Sequence, residues 1–342
     1  MVSERGLQVL RAIVQDYVDT REPVGSKSIV DRHAFGVSAA TIRNDMALLE
    51  DEDLIVAPHT SSGRVPTDKG YRVFVDHLAE LRPLSSAQRT AISSFLDDPA
   101  DLDDLLSRTV RCLTQLTGQV ALVQYPSFAR ATVTHIELVL LAPMRVLVIV
   151  VTDTGRVSQR IVNLPQEITE HDALALKGRL NDLVTGYEVR KASARLEDRR
   201  AEAAETDTAI AVLSDAVAEE LDEFRQDKLV MAGAATLARR ELDFRGSIHP
   251  LLEAIEEQAT LVRLMEEMVA DREGLAASIG AENAAFGLSE ASLVTSDYDA
   301  PGSRARVGLM GPTRMDYPSN LAAVRAVARY LTRLLDEDEA RR

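Results

Sequence analysis

The stretch Ser38-Ala39-Ala40-Thr41-Ile42-Arg43-Asn44-Asp45-Met46 decides the fold at the N-terminal end of this chain. Ser38 follows a glycine-containing turn and is a favourable helix N-cap, so the stretch predicts a helix that runs to about Asp53. Ile42, Met46 and Leu49 are spaced four and three residues apart and predict the buried side of that helix. The opposite side carries small or hydrogen-bonding residues, namely Ala40, Arg43, Asn44 and Ala47.

Two further helices are predicted before this stretch. Apolar residues recur at helical spacing from Leu7 to Val18, and the segment Arg21-Glu22-Pro23-Val24-Gly25 ends the pattern. Ser26 is the expected N-cap of a short second helix that ends near His33. The order of helix, short helix, glycine turn and helix is that of a helix-turn-helix.

The polar side of the third helix has the chemistry of a surface that reads DNA. Small residues allow the backbone to approach the major groove, Arg can pair with guanine, and Asn can pair with adenine. An ordinary solvated helix face explains the same residues equally well. The candidate DNA-contacting residues of this helix are Ser38, Ala40, Thr41, Arg43, Asn44 and Ala47.

A short hairpin is predicted directly after the third helix. Leu54-Ile55-Val56-Ala57 and Arg64-Val65 flank the turn-forming segment Pro58-His59-Thr60-Ser61-Ser62-Gly63. A wing at this place could contact phosphates, or the minor groove through an Arg at its tip. The alternative is a plain surface hairpin, which would not need an Arg at the tip. The candidate DNA-contacting residues of the hairpin are His59, Thr60, Ser61 and Arg64.

Motifs at both ends of the chain form one pattern. The N-terminal ones are Pro23-Val24-Gly25-Ser26, the stretch 38–46, the segment 58–67, Gly70-Tyr71-Arg72 and Val75-Asp76. The C-terminal ones are Ile279-Gly280-Ala281-Glu282-Asn283 and Gly311-Pro312-Thr313-Arg314-Met315-Asp316-Tyr317-Pro318. Together they resemble the heat-inducible transcription repressor family, HrcA. Ser62 departs from the Ala that the family pattern leads us to expect.

The resemblance implies a specific biological role. It implies a repressor of chaperonin and DnaK-type chaperone operons that binds an inverted-repeat operator on double-stranded DNA as a homodimer. It also implies that a GroEL-type chaperonin keeps the repressor active and that heat releases the operator. The alternative is a winged-helix repressor whose GAF-like domain senses a small effector. A chaperonin-binding adaptor without a DNA function is disfavoured by the helix and wing surfaces.

The rest of the chain predicts a multidomain α+β protein. Apolar runs between 120 and 162 predict strands, helical periodicity follows from about 167 to 184, and strand patterns return between 276 and 310. An antiparallel sheet with a long helical insertion explains this order. Near the end, Arg314 and Asp316 are as well explained by a local ion pair that fixes a turn as by a functional role.

Five segments follow from these patterns and from the resemblance. Residues 1–82 are predicted as a winged helix-turn-helix and 83–117 as a linker with leading helices. The resemblance assigns 118–186 and 271–342 to the two parts of a GAF-like domain, and 187–270 to a mostly helical inserted dimerisation domain.

Charge limits how this protein can hold DNA. The chain of 342 residues has a net charge of -15, and residues 1–82 carry ten Lys and Arg against thirteen Asp and Glu, a net charge of -3. Acidic proteins repel phosphate at long range. The few cations must therefore be concentrated on one face, and we expect weak non-specific binding.

Composition excludes other classes of protein. Cys112 is the single cysteine, so neither an intramolecular disulfide nor a four-thiolate metal site can form, and a reducing, cytoplasmic location is expected. The six His residues lack metal-ligand spacing, and no nucleotide-binding loop or nucleophile motif is present. We therefore expect no enzyme, no cofactor and no metal. The longest apolar runs, 138–144 and 146–151, are too short to span a membrane.

Overall fold

The computed structural model describes residues 2–59, 62–78, 84–126, 131–153, 157–203, 208–223, 228–239, 243–244, 248–300 and 303–341. Helices and strands are mixed along the chain, so the predicted α+β class is confirmed. The chain forms two compact units. Unit 1 comprises residues 1–124, 229–298 and 306–331, and unit 2 comprises 125–228, 299–305 and 332–342.

Unit 1 begins with helices and a small hairpin. Helix α1 spans Glu4–Thr20, α2 spans Ser26–Arg32 and α3 spans Ala39–Asp51. Strand β1, Ile55–Val56, pairs antiparallel with β2, Val65–Pro66, and α4 follows at Asp68–Asp76. These elements follow the predicted order, and we call the described residues up to 78 the N-terminal module.

A side-chain cap explains where α3 begins, whereas α2 begins without one. The hydroxyl of Ser38 accepts a hydrogen bond from the backbone N–H of Thr41 at 3.2 Å, which satisfies an otherwise unpaired N–H of α3. The prediction of Ser38 as an N-cap is therefore confirmed. The prediction for α2 is wrong, because Gly25 occupies the N-cap position without a side-chain hydrogen bond and Ser26 is the buried first residue of the helix.

The N-terminal module has a core formed by apolar sides of its helices. The buried residues include Val9, Leu10, Ile13, Ile29, Ile42, Leu49, Leu54, Ile55 and Phe74. An ion pair also joins α1 to α3, since Arg5 Nε and Nη2 donate to the two carboxylate oxygens of buried Asp45 at 2.7 and 3.0 Å. The hydrogen bond to Asp45 raises the pKa of Arg5. Asp45, inside the deciding stretch, therefore serves the fold of the module.

The remaining elements follow in chain order. The helices are α5 (Ser86–Leu96), α6 (Leu102–Thr117), α7 (Glu170–Val184), α8 (Val189–Ala203), α9 (Thr208–Glu223), α10 (Ala234–Arg239), α11 (His249–Glu257), α12 (Ala259–Glu267), a 3-10 helix (Gly280–Phe286) and α13 (Tyr317–Arg341). The strands are β3 (Val120–Gln124), β4 (Val133–Ala142), β5 (Arg145–Thr152), β6 (Val157–Asn163), β7 (Leu229–Ala232), β8 (Leu275–Ile279), β9 (Ala291–Ala300) and β10 (Ser303–Pro312). In the described part of the chain, no helix has both the length and the apolarity that a membrane crossing needs.

A five-stranded sheet forms the centre of unit 1, in the order β7-β3-β10-β9-β8. Strand β3 is antiparallel to both neighbours, with Leu122 opposite Met231 on one side and Gly308 on the other. A single apolar cluster joins the sheet to α10, α11 and α12; it includes Val120, Leu122, Leu237, Leu251, Leu261, Leu264, Met265, Leu293 and Met310.

A separate three-stranded antiparallel sheet, β4-β5-β6, belongs to unit 2. Helix α9 lies against one of its faces, where Arg160 Nε donates to Glu220 at 2.5 Å and Ser158 also donates to that carboxylate. Glu220 is buried, so these two donors compensate its charge. The opposite face carries Leu147, which lies across from Val139 and Ile161.

The structure corrects the predicted domain organisation. One interrupted sheet was expected, but β4, β5 and β6 pair with one another because strands adjacent in sequence tend to pair. Strand β7 was not predicted and joins the sheet of unit 1. The range 187–270, predicted as one inserted domain, is divided, since 187–228 lies in unit 2 and 229–270 in unit 1. The range 118–186 is likewise divided after residue 124.

Candidate nucleic-acid interface

The exposed side of α3 carries the candidate residues of that helix. Ser38, Ala40, Arg43, Asn44 and Ala47 are exposed, and Thr41 is half-buried. The other side is buried, as predicted from the spacing of Ile42, Met46 and Leu49. The structure therefore brings the six candidates together on one surface, which we call the α3 surface.

Arg43 is the cation that the α3 surface offers to a ligand. It forms no ion pair with any residue that the structure describes, and its side chain is exposed. Asn44 and the small Ala40 and Ala47 lie beside it on the same side of the helix. An unpaired guanidinium next to an amide, with small residues around them, can form hydrogen bonds to groups that approach the helix.

Leu48 belongs to the same exposed side of α3 and was missed by the sequence analysis. It is 62% exposed, whereas the neighbouring Leu49 is 1% exposed. One signal could have identified it, because Leu48 follows Asn44 by one helical turn and therefore lies on the same side of α3 as that polar residue. The α3 surface therefore includes an apolar side chain four residues after Asn44.

The hairpin turn is closed by Ser62. Its hydroxyl accepts a hydrogen bond from the backbone N–H of His59 at 3.0 Å and donates to the His59 carbonyl oxygen at 2.7 Å. The side chain of His59 is exposed. The candidates Thr60 and Ser61 lie outside the described residues. The departure of Ser62 from the expected Ala thus adds two hydrogen bonds that an Ala could not form.

Arg64 does not lie at the tip of the hairpin. Its backbone N–H and C=O form two 2.9 Å hydrogen bonds with Val24, so it stands at the base, beside the loop between α1 and α2. The reason is that the turn already closes at Ser62. The guanidinium binds Glu50 of α3, with distances of 2.9 Å from Nε and 2.8 Å from Nη2.

Acidic residues follow the α3 surface immediately. Glu50, Asp51, Glu52 and Asp53 stand in succession at the end of α3, and Arg64 neutralises the first of them. These carboxylates repel phosphate, so the cations of the module act against a local negative charge. Among the residues that the structure describes, no group of three or more His, Cys, Asp or Glu side chains could hold a metal ion.

Comparisons with known proteins identify the family. Residues 103–320 match the model described as the HrcA protein C terminal domain. A protein of Clavibacter michiganensis named heat-inducible transcription repressor HrcA is 60% identical over 98% of this chain and 100% of its own length. A protein of the same name from Leifsonia xyli is 59% identical over the same shares.

The chain belongs to the HrcA family. The resemblance predicted from the motifs at both ends of the sequence is therefore confirmed, and the names of the HrcA relatives point to a regulator rather than an enzyme. The fold also has a solved counterpart. A crystal structure of a hypothetical protein has a TM-score of 0.67 and 23% sequence identity, and covers 98% of this chain and 99% of its own.

Proposed function

We propose that this HrcA family member is a transcription repressor that binds an inverted-repeat operator on double-stranded DNA as a homodimer. The N-terminal module acts as a winged helix-turn-helix, with α3 as the recognition helix. The observation that carries the proposal is the α3 surface, on which an unpaired Arg43 and Asn44 lie exposed among small residues. The names of the relatives support it.

Each residue of the α3 surface has a role in this proposal. Ala40 and Ala47 let the helix enter the major groove, Arg43 pairs with guanine and Asn44 pairs with adenine. Leu48 contacts a thymine methyl group, which is the apolar feature of that groove. Phosphate oxygens bind at helix N-termini. In α3 this position is formed by Ser38, Thr41 and the backbone N–H groups of the first turn.

The hairpin is proposed as the wing. His59, Thr60 and Ser61 would contact the DNA backbone, which positions the module without reading bases. For Arg64 to contact DNA directly, its guanidinium would have to release Glu50 and bind a phosphate instead. Arg64 also holds the hairpin base against α3, so it contributes to the interface through the placement of the wing.

The open face of β4-β5-β6 is the proposed dimer surface. Val139, Leu141, Met144, Val157 and Ile161 are 40 to 57% exposed, although all are large and apolar. Exposed apolar patches of this kind mark interaction sites. A second copy of the chain is the occupant that a two-fold symmetric operator requires, because its half-sites are read by symmetry-related modules. In this proposal the dimer contact lies outside the range 187–270, which the family resemblance assigns to dimerisation.

Ile161→Glu tests the dimer surface. Ile161 is 49% exposed and lies opposite Leu147 in the row that also contains Val139. A carboxylate there would be buried without a partner in the dimer, so we expect the dimer dissociation constant to rise by at least about tenfold. Sedimentation velocity over a concentration series measures it. Leu174→Glu, at a 62% exposed Leu of α7, is the control and should leave the dimer intact. Equal dissociation constants in both variants would contradict this surface.

The chaperonin provides the regulation in this proposal. Repression depends on the concentration of active dimer, so a protein that is marginally folded without chaperonin couples operator occupancy to free chaperonin. Heat diverts the chaperonin to other unfolded proteins, and the chaperonin and DnaK-type operons are then transcribed. The effector-sensing alternative has the same DNA-binding module and a different signal.

Weak salt dependence is expected for non-specific binding. Four successive acidic residues, 50–53, stand at the end of α3, and the module has few cations that could bind phosphate. We expect the affinity for an unrelated duplex to fall by less than about 10³ between 50 and 200 mM salt, below what six to ten phosphate contacts produce. Fluorescence anisotropy titrations measure it. A steeper fall would mean that more phosphate contacts form than the α3 surface and wing provide.

A gel-shift titration tests the whole proposal. The protein is titrated against an inverted-repeat duplex and a scrambled duplex, with and without chaperonin and ATP. Selective binding that chaperonin enhances is the expected result. Selective binding that ignores chaperonin would favour the effector-sensing repressor, which a ligand-dependent rise in melting temperature would then identify. Absence of selectivity in both conditions would refute operator binding.

A further inference from the structure

The N-terminal module is attached to the rest of unit 1 by a set of polar contacts on α4. Asp68 Oδ2 accepts a hydrogen bond from the backbone N–H of Ala281 at 2.9 Å. Arg72 Nε donates to Glu282 Oε1 at 2.7 Å, and Arg72 Nη2 donates to the carbonyl oxygen of Ala277 at 2.7 Å. We call Asp68, Arg72, Ala281 and Glu282 the α4 latch.

The segment that α4 contacts, residues 277–282, has a conformation that fits this contact. Gly280 has a φ of +52°, and a Cβ atom there would overlap the carboxylate of Asp68. Glu282 also accepts a hydrogen bond from the backbone N–H of Ile279 at 2.9 Å, which orients its carboxylate. The hydrogen bond to Glu282 raises the pKa of Arg72. The family motif that contains these residues therefore forms a surface whose shape and hydrogen-bonding groups fit α4.

A second polar contact holds α1. Asp243, with 5% of its side chain exposed, binds Arg21 at 3.2 Å directly after the end of α1 and also binds Arg314. Arg314 in turn lies over the ring of Tyr17, at 5.6 Å from its centre. Of the two explanations that the sequence left open for Arg314, the local ion pair with Asp316 does not form, since Arg314 binds Asp243.

A ring contact between Tyr71 of α4 and Tyr317 forms the third point, with ring centres 5.6 Å apart. The Tyr317 hydroxyl donates to the carbonyl oxygen of Thr313 at 2.7 Å and is 2.9 Å from the Ser292 hydroxyl, so this ring is itself held in place. Contacts on two different helices restrict the rotation of the module, and hydrogen bonds depend on direction as well as distance. The module is therefore held in one orientation.

We infer that the α4 latch sets the operator spacing that the repressor accepts, with Asp68 and Arg72 as positioning residues. This inference rests on the proposed operator binding. Each added base pair rotates the second half-site by about 34 to 36° around the duplex, since one turn takes 10 to 10.5 base pairs. A module held against the rest of unit 1 is less free to follow half-sites at other separations. A released module turns to follow them and accepts several separations.

The test compares binding across a series of spacers. The double variant Asp68→Ala with Arg72→Ala removes the α4 side of the latch. The matched control is Asp76→Ala, which deletes a carboxylate of the same helix that pairs with Arg72 at 3.3 Å and leaves the bonds to Glu282 and Ala281 in place. Dissociation constants are measured for duplexes whose half-sites are identical and whose spacers differ by one to five base pairs.

The dissociation constant plotted against spacer length gives a spacer profile for each protein. We expect the shape of this profile to change in the latch variant. Wild type and Asp76→Ala should lose at least about tenfold in affinity when the spacer changes by five base pairs, because one half-site then loses its base contacts. The latch variant keeps the contacts of Asp243 and of Tyr317, so its profile should flatten in part, with a loss of about threefold rather than tenfold over the same series. Glu282→Gln, which keeps an acceptor for Ile279 N–H, is a second variant from the partner side and should flatten the profile in part.

The outcomes separate this inference from the proposed function. A latch variant that binds more weakly at every spacer and keeps the wild-type profile would overturn the inference, as would a wild type that shows no spacer preference on an operator it binds selectively. A wild type without selectivity for any inverted repeat would remove the proposed function and the inference together. Far-ultraviolet circular dichroism of each variant verifies that its helices are intact.

Discussion

Gly70→Ala should destabilise the N-terminal module by about 1 to 3 kcal/mol, although Ala normally stabilises a helix relative to Gly by about 0.5 to 1 kcal/mol. Gly70 lies in α4, and a Cβ atom there would overlap the backbone carbonyl oxygen of Leu54. That oxygen already accepts a hydrogen bond from Thr67 N–H at 3.1 Å, so it cannot move away without breaking the start of α4. Urea unfolding followed by circular dichroism measures the change.

Gly178→Ala is the matched control for this substitution. Gly178 also lies inside a helix, α7, but a Cβ atom there would meet nothing within 4 Å. We expect it to stabilise unit 2 by about 0.5 to 1 kcal/mol, the ordinary helix preference. The same chemical change should therefore have opposite signs at the two positions. A neutral or stabilising effect of Gly70→Ala would show that α4 does not pack against Leu54 in solution.

Local patterns predicted the elements that depend on neighbouring residues. The N-cap Ser38 and the spacing of Ile42, Met46 and Leu49 were sufficient for α3, because capping and helical periodicity act within a few residues. Strand β7 could not be predicted from local patterns. Its four apolar residues, Leu229–Ala232, have no period of their own and become a strand by pairing with β3, which lies far earlier in the chain.

The same distinction between local patterns and the tertiary fold applies to the residues of the candidate site. The exposure of Arg43 and Asn44 follows from the position of the core on one side of α3, which the sequence contains. The ion pairs of Arg64 with Glu50 and of Arg72 with Glu282 do not follow from local sequence patterns. Each of them joins segments that only the tertiary fold brings together. The C-terminal motif with Glu282 was visible as a family pattern, but its partner on α4 was not.

Arg43→Ala should cost about 1 to 3 kcal/mol of operator binding, a five- to 150-fold rise in the dissociation constant, and should relax the preference for one base pair in each half-site. Arg43 is exposed and forms no ion pair among the described residues, so the melting temperature should stay near that of wild type. Competition gel shifts against duplexes substituted at each position of the repeat identify the base pair.

Arg43→Lys distinguishes base reading from simple charge. Lys keeps the positive charge but lacks the planar fork that pairs with guanine through two hydrogen bonds. If Arg43 reads a base, Arg43→Lys should lose nearly as much selectivity as Arg43→Ala while keeping the wild-type affinity for unrelated DNA. If it contacts only phosphate, Arg43→Lys should retain both. Retention of full selectivity by both variants would place the reading surface elsewhere, since Arg43 is the one cation of the α3 surface within the described chain.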